Sequence, residues 1–284
     1  MSIVIGVLLC ASALVPSGAR AQTAGADYQN LLNMFGWLSS QIAELRAQLY
    51  ASSIQSETEL PKIGSYPSDY YDGNYVAVYR VNDEGLMLEQ GYKSDFHARI
   101  FSLFEKIAGR DTTIRYVQEV RIYNNADARY SAFVEEIGGT NRWILGINVA
   151  DIFPYNEHWE SDAAPLLIHE YAHIFFYYKP DVLNAFSETF WSESMKRSAS
   201  VRESIDNSDR REAFRYAYYD KNSNDFVSDY ATIGAEEDAA ESFLWFVTKD
   251  FDSANVERAQ KQNFFYQYPE LVETRVRIRG ALEL

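Results

Sequence analysis

Leu166-Leu167-Ile168-His169-Glu170-Tyr171-Ala172-His173-Ile174-Phe175-Phe176 is the stretch whose reading decides the fold. Its centre fits H-E-x-x-H, a pattern whose chemistry follows from helical geometry. Residues four apart share one face of a helix, so both imidazoles can reach one metal ion. Glu170 lies beside that face, where it can take a proton from a water that the metal holds. The apolar flanks put the motif on a mostly buried helix. Two histidines and a glutamate there would be costly without a partner, and a metal supplies one.

A catalytic zinc takes three protein ligands and keeps one position open. The chain has only four histidines. His97 falls on an amphipathic helix far upstream, and His158 falls in a loop. A downstream carboxylate is the stronger candidate for the third ligand. The segment from Phe226 to Phe243 opens a second helix, which continues as Leu244-Trp245-Phe246-Val247. On it Glu237 and Glu241 are four apart and share a face. Glu236 and Asp238 point elsewhere and read as an acidic first turn favoured by the helix dipole. Glu241 lies deeper and is followed by apolar residues, which the dipole does not explain.

The two motifs together, His169-Glu170-x-x-His173 and then Tyr230, Glu237 and Glu241, carry a resemblance. The chain resembles the lethal-factor-like zinc metallopeptidases, gluzincin-type zincins that include the catalytic domain of anthrax lethal factor. The resemblance covers roughly residues 110–250. It implies a zinc metallopeptidase, a hydrolase of peptide bonds, with one catalytic Zn2+ and a protein or peptide substrate. It implies His169, His173 and Glu237 as metal ligands. It also implies Glu170 as general base, Tyr230 as the hydroxyl facing the oxyanion, and Glu241 as the carboxylate behind a ligand. The stretch between His173 and Glu237 is longer than that pattern, which implies an insertion. Nothing resembles the toxin's other domains, so its targets do not carry over.

The amino terminus points to export. Ile3 to Val15 is an apolar run of the length of a signal h-region, followed by Pro16-Ser17-Gly18. Ala19-Arg20-Ala21 then fits the small-x-small rule and predicts cleavage before Gln22. Residues 1–21 are therefore expected to be a signal peptide and the product to be secreted or extracytoplasmic. The run is short for a membrane span, so no stable insertion is expected after cleavage; a retained anchor is the alternative. Cys10 is the only cysteine, and Leu9 before it does not suit lipidation. With 26 basic and 41 acidic side chains, the formal net charge is −15. Such a surface repels nucleic acid and anionic membranes.

Residues 22–60 are expected to form an N-terminal helical segment and linker, and 61–284 the catalytic domain. From 27 to 51 the residues Leu31, Phe35, Leu38, Ile42, Leu45 and Leu49 follow a heptad-like rhythm. Packing on the catalytic domain is the preferred reading of that stripe, with self-association as the other. Residues 52–74 carry Pro61, Gly64, Pro67 and Gly73 and read as linker.

Beyond them the order of elements predicts an α+β, zincin-like domain: a small twisted mixed sheet, an active-site helix and a helical C-terminal half. Strands are expected at Tyr75–Tyr79, Ile114–Tyr123, Ser131–Ile137 and Trp143–Val149, with a hairpin turn at Gly138-Gly139-Thr140-Asn141. Helices are expected at Asp95–Ala108 and from Ala163 to Tyr178, the latter ended by Pro180. Zincin sheets pair a free edge with extended substrate, and Arg142–Asn148 is the candidate edge. Residues 181–225 read as a mostly helical insertion, with Phe186, Phe190, Trp191, Phe214 and Tyr218 as core contacts. Asp220-x-Asn222-x-Asn224-Asp225 has part of a calcium-loop pattern but lacks its glycine and final glutamate, so a polar turn is the better reading. Two other classes stay open: a catalytically silent zincin fold that binds a partner, and a surface or assembly protein driven by the amino-terminal helix.

Overall fold

In the computed structural model the described residues are 75–125, 131–152 and 158–284. The expected signal peptide, the 27–51 helix and the 52–74 linker lie outside them. Strands β1 (Tyr75–Asn82) and β2 (Gly85–Gly91) form a hairpin. Asn82 Oδ1 accepts the Glu84 N–H at 2.9 Å, and Gly85 takes φ +111°, so the short polar turn closes without strain. Helix α1 (Asp95–Ala108) follows, with the boundaries expected from sequence. Ser94 Oγ caps it by accepting the Phe96 N–H at 3.2 Å. Its apolar face is buried through Ile100, Phe101, Leu103, Phe104 and Ile107.

The expected strand from Ile114 begins later. Gly109 leaves α1 at φ +86°. Its carbonyl then accepts both the N–H and the hydroxyl of Thr113, which starts a second helix, α2 (Arg110–Tyr116). The β-branched run Thr112-Thr113-Ile114 reads as strand in isolation, and this local bonding overrides it. Strand β3 is Val117–Tyr123, β4 is Ala132–Glu136 and β5 is Trp143–Asn148. The sheet is mixed, in the order β2-β1-β3-β5-β4, with β3 and β5 parallel and the other pairs antiparallel. The β4–β5 turn falls where expected. Gly138, Gly139 and Asn141 all take positive φ, and the Ile137 N–H donates to Arg142 O at 2.7 Å.

This order corrects the choice of edge strand. The segment Arg142–Asn148 is not an edge, because β5 lies between β3 and β4 and all its residues are buried. Its unbroken apolar run suits a strand covered on both faces. The edges are β2 and β4. Phe133 on β4 stands opposite Gly146 on β5. A Cβ at Gly146 would come within 1.7 Å of the Phe133 ring, so only glycine lets that ring lie against the neighbouring strand.

From Trp159 onward every regular element among the described residues is a helix. Helix α3 (Trp159–Tyr178) carries the H-E-x-x-H residues and starts four residues before the expected Ala163. Pro165 fits a first turn when the helix is started at Ala163, yet the helix runs through it. Helices α4 (Pro180–Phe190), α5 (Glu193–Glu203) and α6 (Ser208–Lys221) form the insertion. Then come a 3-10 turn (Tyr230–Thr232), α7 (Ala235–Thr248), α8 (Glu257–Phe264), a 3-10 turn (Phe265–Gln267) and α9 (Pro269–Leu282). No helix among the described residues is long and apolar enough to cross a membrane.

One face of the sheet packs on α1 and α3, and an aromatic cluster among the later helices continues that core. Phe176 of α3, Phe186 of α4, Phe243 and Phe246 of α7, and Phe265 are buried together. The Phe186 and Phe265 rings stack with centroids 5.7 Å apart. Phe214 was expected in the core but is 49% exposed. Helix α6 buries no residue fully, so its contacts come from partly buried positions such as Tyr218, which meets Phe226. Asn222 turns back on α6, its side-chain amide donating to Tyr218 O at 2.7 Å, as a polar turn does.

His97 belongs to the core. The Tyr79 hydroxyl lies 2.8 Å from its Nδ1, and the Tyr92 ring packs on it at 5.4 Å. Burial lowers its pKa from 6.5 to about 4. Between those values the unfolded chain takes up a proton that the folded chain refuses, so stability should fall as pH drops through that window, by at most about 3 kcal/mol. Denaturant unfolding of wild type and His97→Gln between pH 7 and 4 tests this. The substitution should flatten that part of the curve, and parallel curves would exclude His97 as the cause.

Candidate metal centre

The packing of α3 against α7 sets the site. His169 and His173 project from one face of α3, and both lie within reach of Glu237 in the first turn of α7. The two Nε2 atoms are 3.0 Å apart, and Glu237 Oε2 is 3.2 Å from each. These three are the group among the described residues whose ligand atoms could hold a metal. Tetrahedral zinc with bonds of about 2.0–2.1 Å places its ligand atoms about 3.3 Å apart. The observed triangle is close to one face of that tetrahedron, which leaves the fourth position open to the cleft.

The donor chemistry fits as well. His169 Nδ1 lies 2.6 Å from Glu241 Oε1. A carboxylate there takes the Nδ1 proton and leaves the Nε2 lone pair aimed into the triangle. Glu237 Oε2 is buried and makes no aligned hydrogen bond despite its two close nitrogens. A buried carboxylate oxygen with no donor is costly unless a cation faces it. Without a metal, a proton must serve. Burial alone would lower His169, yet the neighbouring carboxylates of Glu237 and Glu241 outweigh it and push the imidazole up to about 10. Burial likewise opposes the charge on Glu237, but the two imidazoles hold its carboxyl well below the usual range.

Glu170 is 5% exposed and faces the same cleft. Burial raises its pKa, partly offset by His169, His173 and the Val134 backbone N–H. A raised value suits a group that must both take and return a proton near neutral pH. Tyr230 sits in the 3-10 turn before α7, its ring centroid 5.7 Å from that of His169. A cleft of about 500 Å³ is lined by His173, Glu237 and the edge strand β4. A second, of about 430 Å³, runs on towards Asp151 and Asp162. His169, Glu170 and Tyr230 line both, so the cluster stands where the two meet.

All six residues singled out from the sequence therefore come together. His97 and His158 do not join them. His158 lies exposed at the amino-terminal end of α3. Asp238 does lie in the acidic first turn of α7, and it also has partners that the helix dipole does not account for: it is fully buried, 2.8 Å from Lys261 Nζ and 2.8 Å from the Trp191 indole nitrogen. Lys261 is also fully buried and reaches Asp225 O at 2.7 Å. This pair locks the first turn of α7 to α8, directly behind Glu237. Nothing in the polar run Glu257–Phe264 signals a buried lysine. Strand β4 falls within the expected Ser131–Ile137, but its edge position was missed, because that depends on long-range pairing.

No family model matches the chain, and no curated protein matches it. The fold is similar to the crystal structure of a candidate zinc-binding metallo-peptidase from Bacteroides caccae. The two are 12% identical, with a TM-score of 0.40, over 72% of this chain and 88% of that one.

Calorimetry tests the triangle. Zinc binding at pH 7 should reach about one equivalent and release about one proton, read from buffers of different ionisation enthalpy. Affinity should rise with pH as that proton becomes easier to displace. His169→Ala and His173→Ala should abolish binding, Glu237→Ala should weaken it strongly, and Glu236→Ala should leave it intact. Binding that survives in Glu237→Ala but fails in Glu236→Ala would reassign the carboxylate.

Proposed function

We propose that this chain is a zinc-dependent endopeptidase of the gluzincin type. The convergence of His169, His173 and Glu237 beside the buried carboxyl of Glu170, in a cleft along the edge strand β4, carries the reading. Zinc, when bound, supplies a Lewis acid that activates water and polarises a carbonyl. His169, His173 and Glu237 hold it, and Glu241 fixes the His169 ring in the tautomer that presents Nε2. Glu170 accepts the proton of the attacking water and passes it to the leaving amine. The Tyr230 hydroxyl donates to the oxyanion that develops on the carbonyl. Strand β4, not β5, offers the backbone groups along which an extended peptide can add as a further strand. The presence of Glu170 favours an enzyme over a silent zinc-binding fold, because a structural site needs no base.

The substrate is a protein or peptide, since the acidic charge disfavours nucleic acid. The apolar run from Ile3 to Val15 and the Ala19-Arg20-Ala21 site support action outside the cytoplasm, with Gln22 as the first mature residue.

Two substitutions that spare the ligands test the chemistry. Glu170→Gln keeps size and shape but cannot take the proton. It should retain zinc and thermal stability while losing nearly all cleavage of a peptide library. Tyr230→Phe should also retain zinc and lose on the order of 10²-fold in kcat, as for one oxyanion donor. Equal cleavage by wild type and Glu170→Gln would place the activity elsewhere. Zinc binding with no cleavage by wild type would favour the silent fold.

A further inference from the structure

Ser228 sits behind the site, two residues before Tyr230, and every bonding direction of its hydroxyl that the structure records has a purpose. Its proton goes to Glu241 Oε2 at 2.7 Å. Its oxygen accepts the Ala231 N–H at 3.1 Å. A hydroxyl has one proton and two lone pairs, so this arrangement fixes the rotor from both sides.

Each partner leads to a different half of the site. The other oxygen of Glu241, Oε1, lies 2.6 Å from His169 Nδ1 and sets the direction of a metal-facing nitrogen. Ala231 follows Tyr230 in the 3-10 turn, so its N–H sets how that turn presents the phenol. The far side of the turn is braced separately. Arg202 donates to Thr232 O at 2.7 Å, and the Thr232 hydroxyl donates to Asp229 O at 2.7 Å. Ser228 bonds both to the turn and to the carboxylate that holds His169.

We propose that Ser228 is a positioning residue that couples metal holding to oxyanion binding. It rests on the reading of the site as a zinc peptidase. Without the hydroxyl, Glu241 is released at one oxygen and the His169 ring loosens. The Tyr230 turn loses its bond to the same point, so the phenol drifts from the carbonyl that it should polarise.

The test compares Ser228→Thr with Ser228→Val, which match in volume and differ in the hydroxyl. Thermal unfolding checks that both fold, and Ser228→Ala replaces the valine variant if it does not. Zinc affinity is measured by competition with a chromophoric chelator. Ser228→Thr should bind as wild type does, and Ser228→Val about tenfold more weakly, the lower range for an outer-shell partner. In a Glu241→Ala background the valine change should cost no further zinc affinity, because its route to the metal is gone. With zinc saturating, kcat on a cleaved peptide should still fall in Ser228→Val while KM stays near wild type. Equal zinc affinity in the threonine and valine variants would overturn the proposal alone, as would a full additive loss in the Glu241→Ala background. A wild type that binds zinc yet cleaves nothing would overturn the peptidase reading and the coupling to oxyanion binding, leaving the affinity comparison to decide the rest. A wild type that holds no zinc would overturn both.

Discussion

Three electron-rich atoms 3.0–3.2 Å apart repel one another unless a cation or a proton lies among them. That constraint organises the molecule. The triangle of His169, His173 and Glu237 draws on two helices far apart in sequence, so the contact between α3 and α7 must be rigid. The aromatic cluster of Phe176, Phe186, Phe243, Phe246 and Phe265 supplies that rigidity by burial. The Asp238–Lys261 pair supplies direction. Burial raises the Asp238 carboxyl to about 6 even with Lys261 beside it, so the pair is costly to build. Its worth lies in geometry: it pins the turn that presents Glu237, where slack would open the triangle.

The site is thus stiff behind and open in front. Behind it, each of the three residues has a support: Glu241 for His169, the Asp238 network for Glu237, and the buried length of α3 for His173. In front, β4 is an edge strand, and its residues from Ala132 to Glu135 line the cleft. The Phe133 ring lies against Gly146, which ties this edge to the sheet where a larger residue on β5 would push it away. At the far end, the Tyr177 hydroxyl donates to Glu136 Oε1 at 2.9 Å, and Tyr178 donates to Asn141 O at 2.8 Å. The helix that carries the histidines therefore also holds the tip of the hairpin that borders the cleft.

How much of this was legible in the sequence depends on the range of the interaction. His169, Glu170 and His173 follow from helical spacing alone, and α1 follows from its apolar period and its Ser94 cap. Glu237 and Glu241 needed a resemblance, because acidic residues at a helix start have a local explanation too. Asp238 shows the limit of that local argument: its partner is 23 positions away, on a helix whose sequence is almost wholly polar. The edge strand was misread for the same reason. Trp143-Ile-Leu-Gly-Ile-Asn148 states that it is buried, but not which strands bury it, and only the sheet order shows β4 outside it. The strand expected at Ile114–Tyr116 gave way to helix α2 because the Gly109 carbonyl captures Thr113, a bond that propensity does not encode.

The central claim is that the three atoms hold one zinc ion. Anomalous scattering from a crystal of the zinc-loaded protein, recorded on both sides of the zinc absorption edge, measures this most directly. The account expects a single strong peak about 2.0–2.1 Å from His169 Nε2, His173 Nε2 and a Glu237 oxygen. A zinc peak elsewhere on the chain, or none at the triangle in a fully loaded crystal, would contradict it.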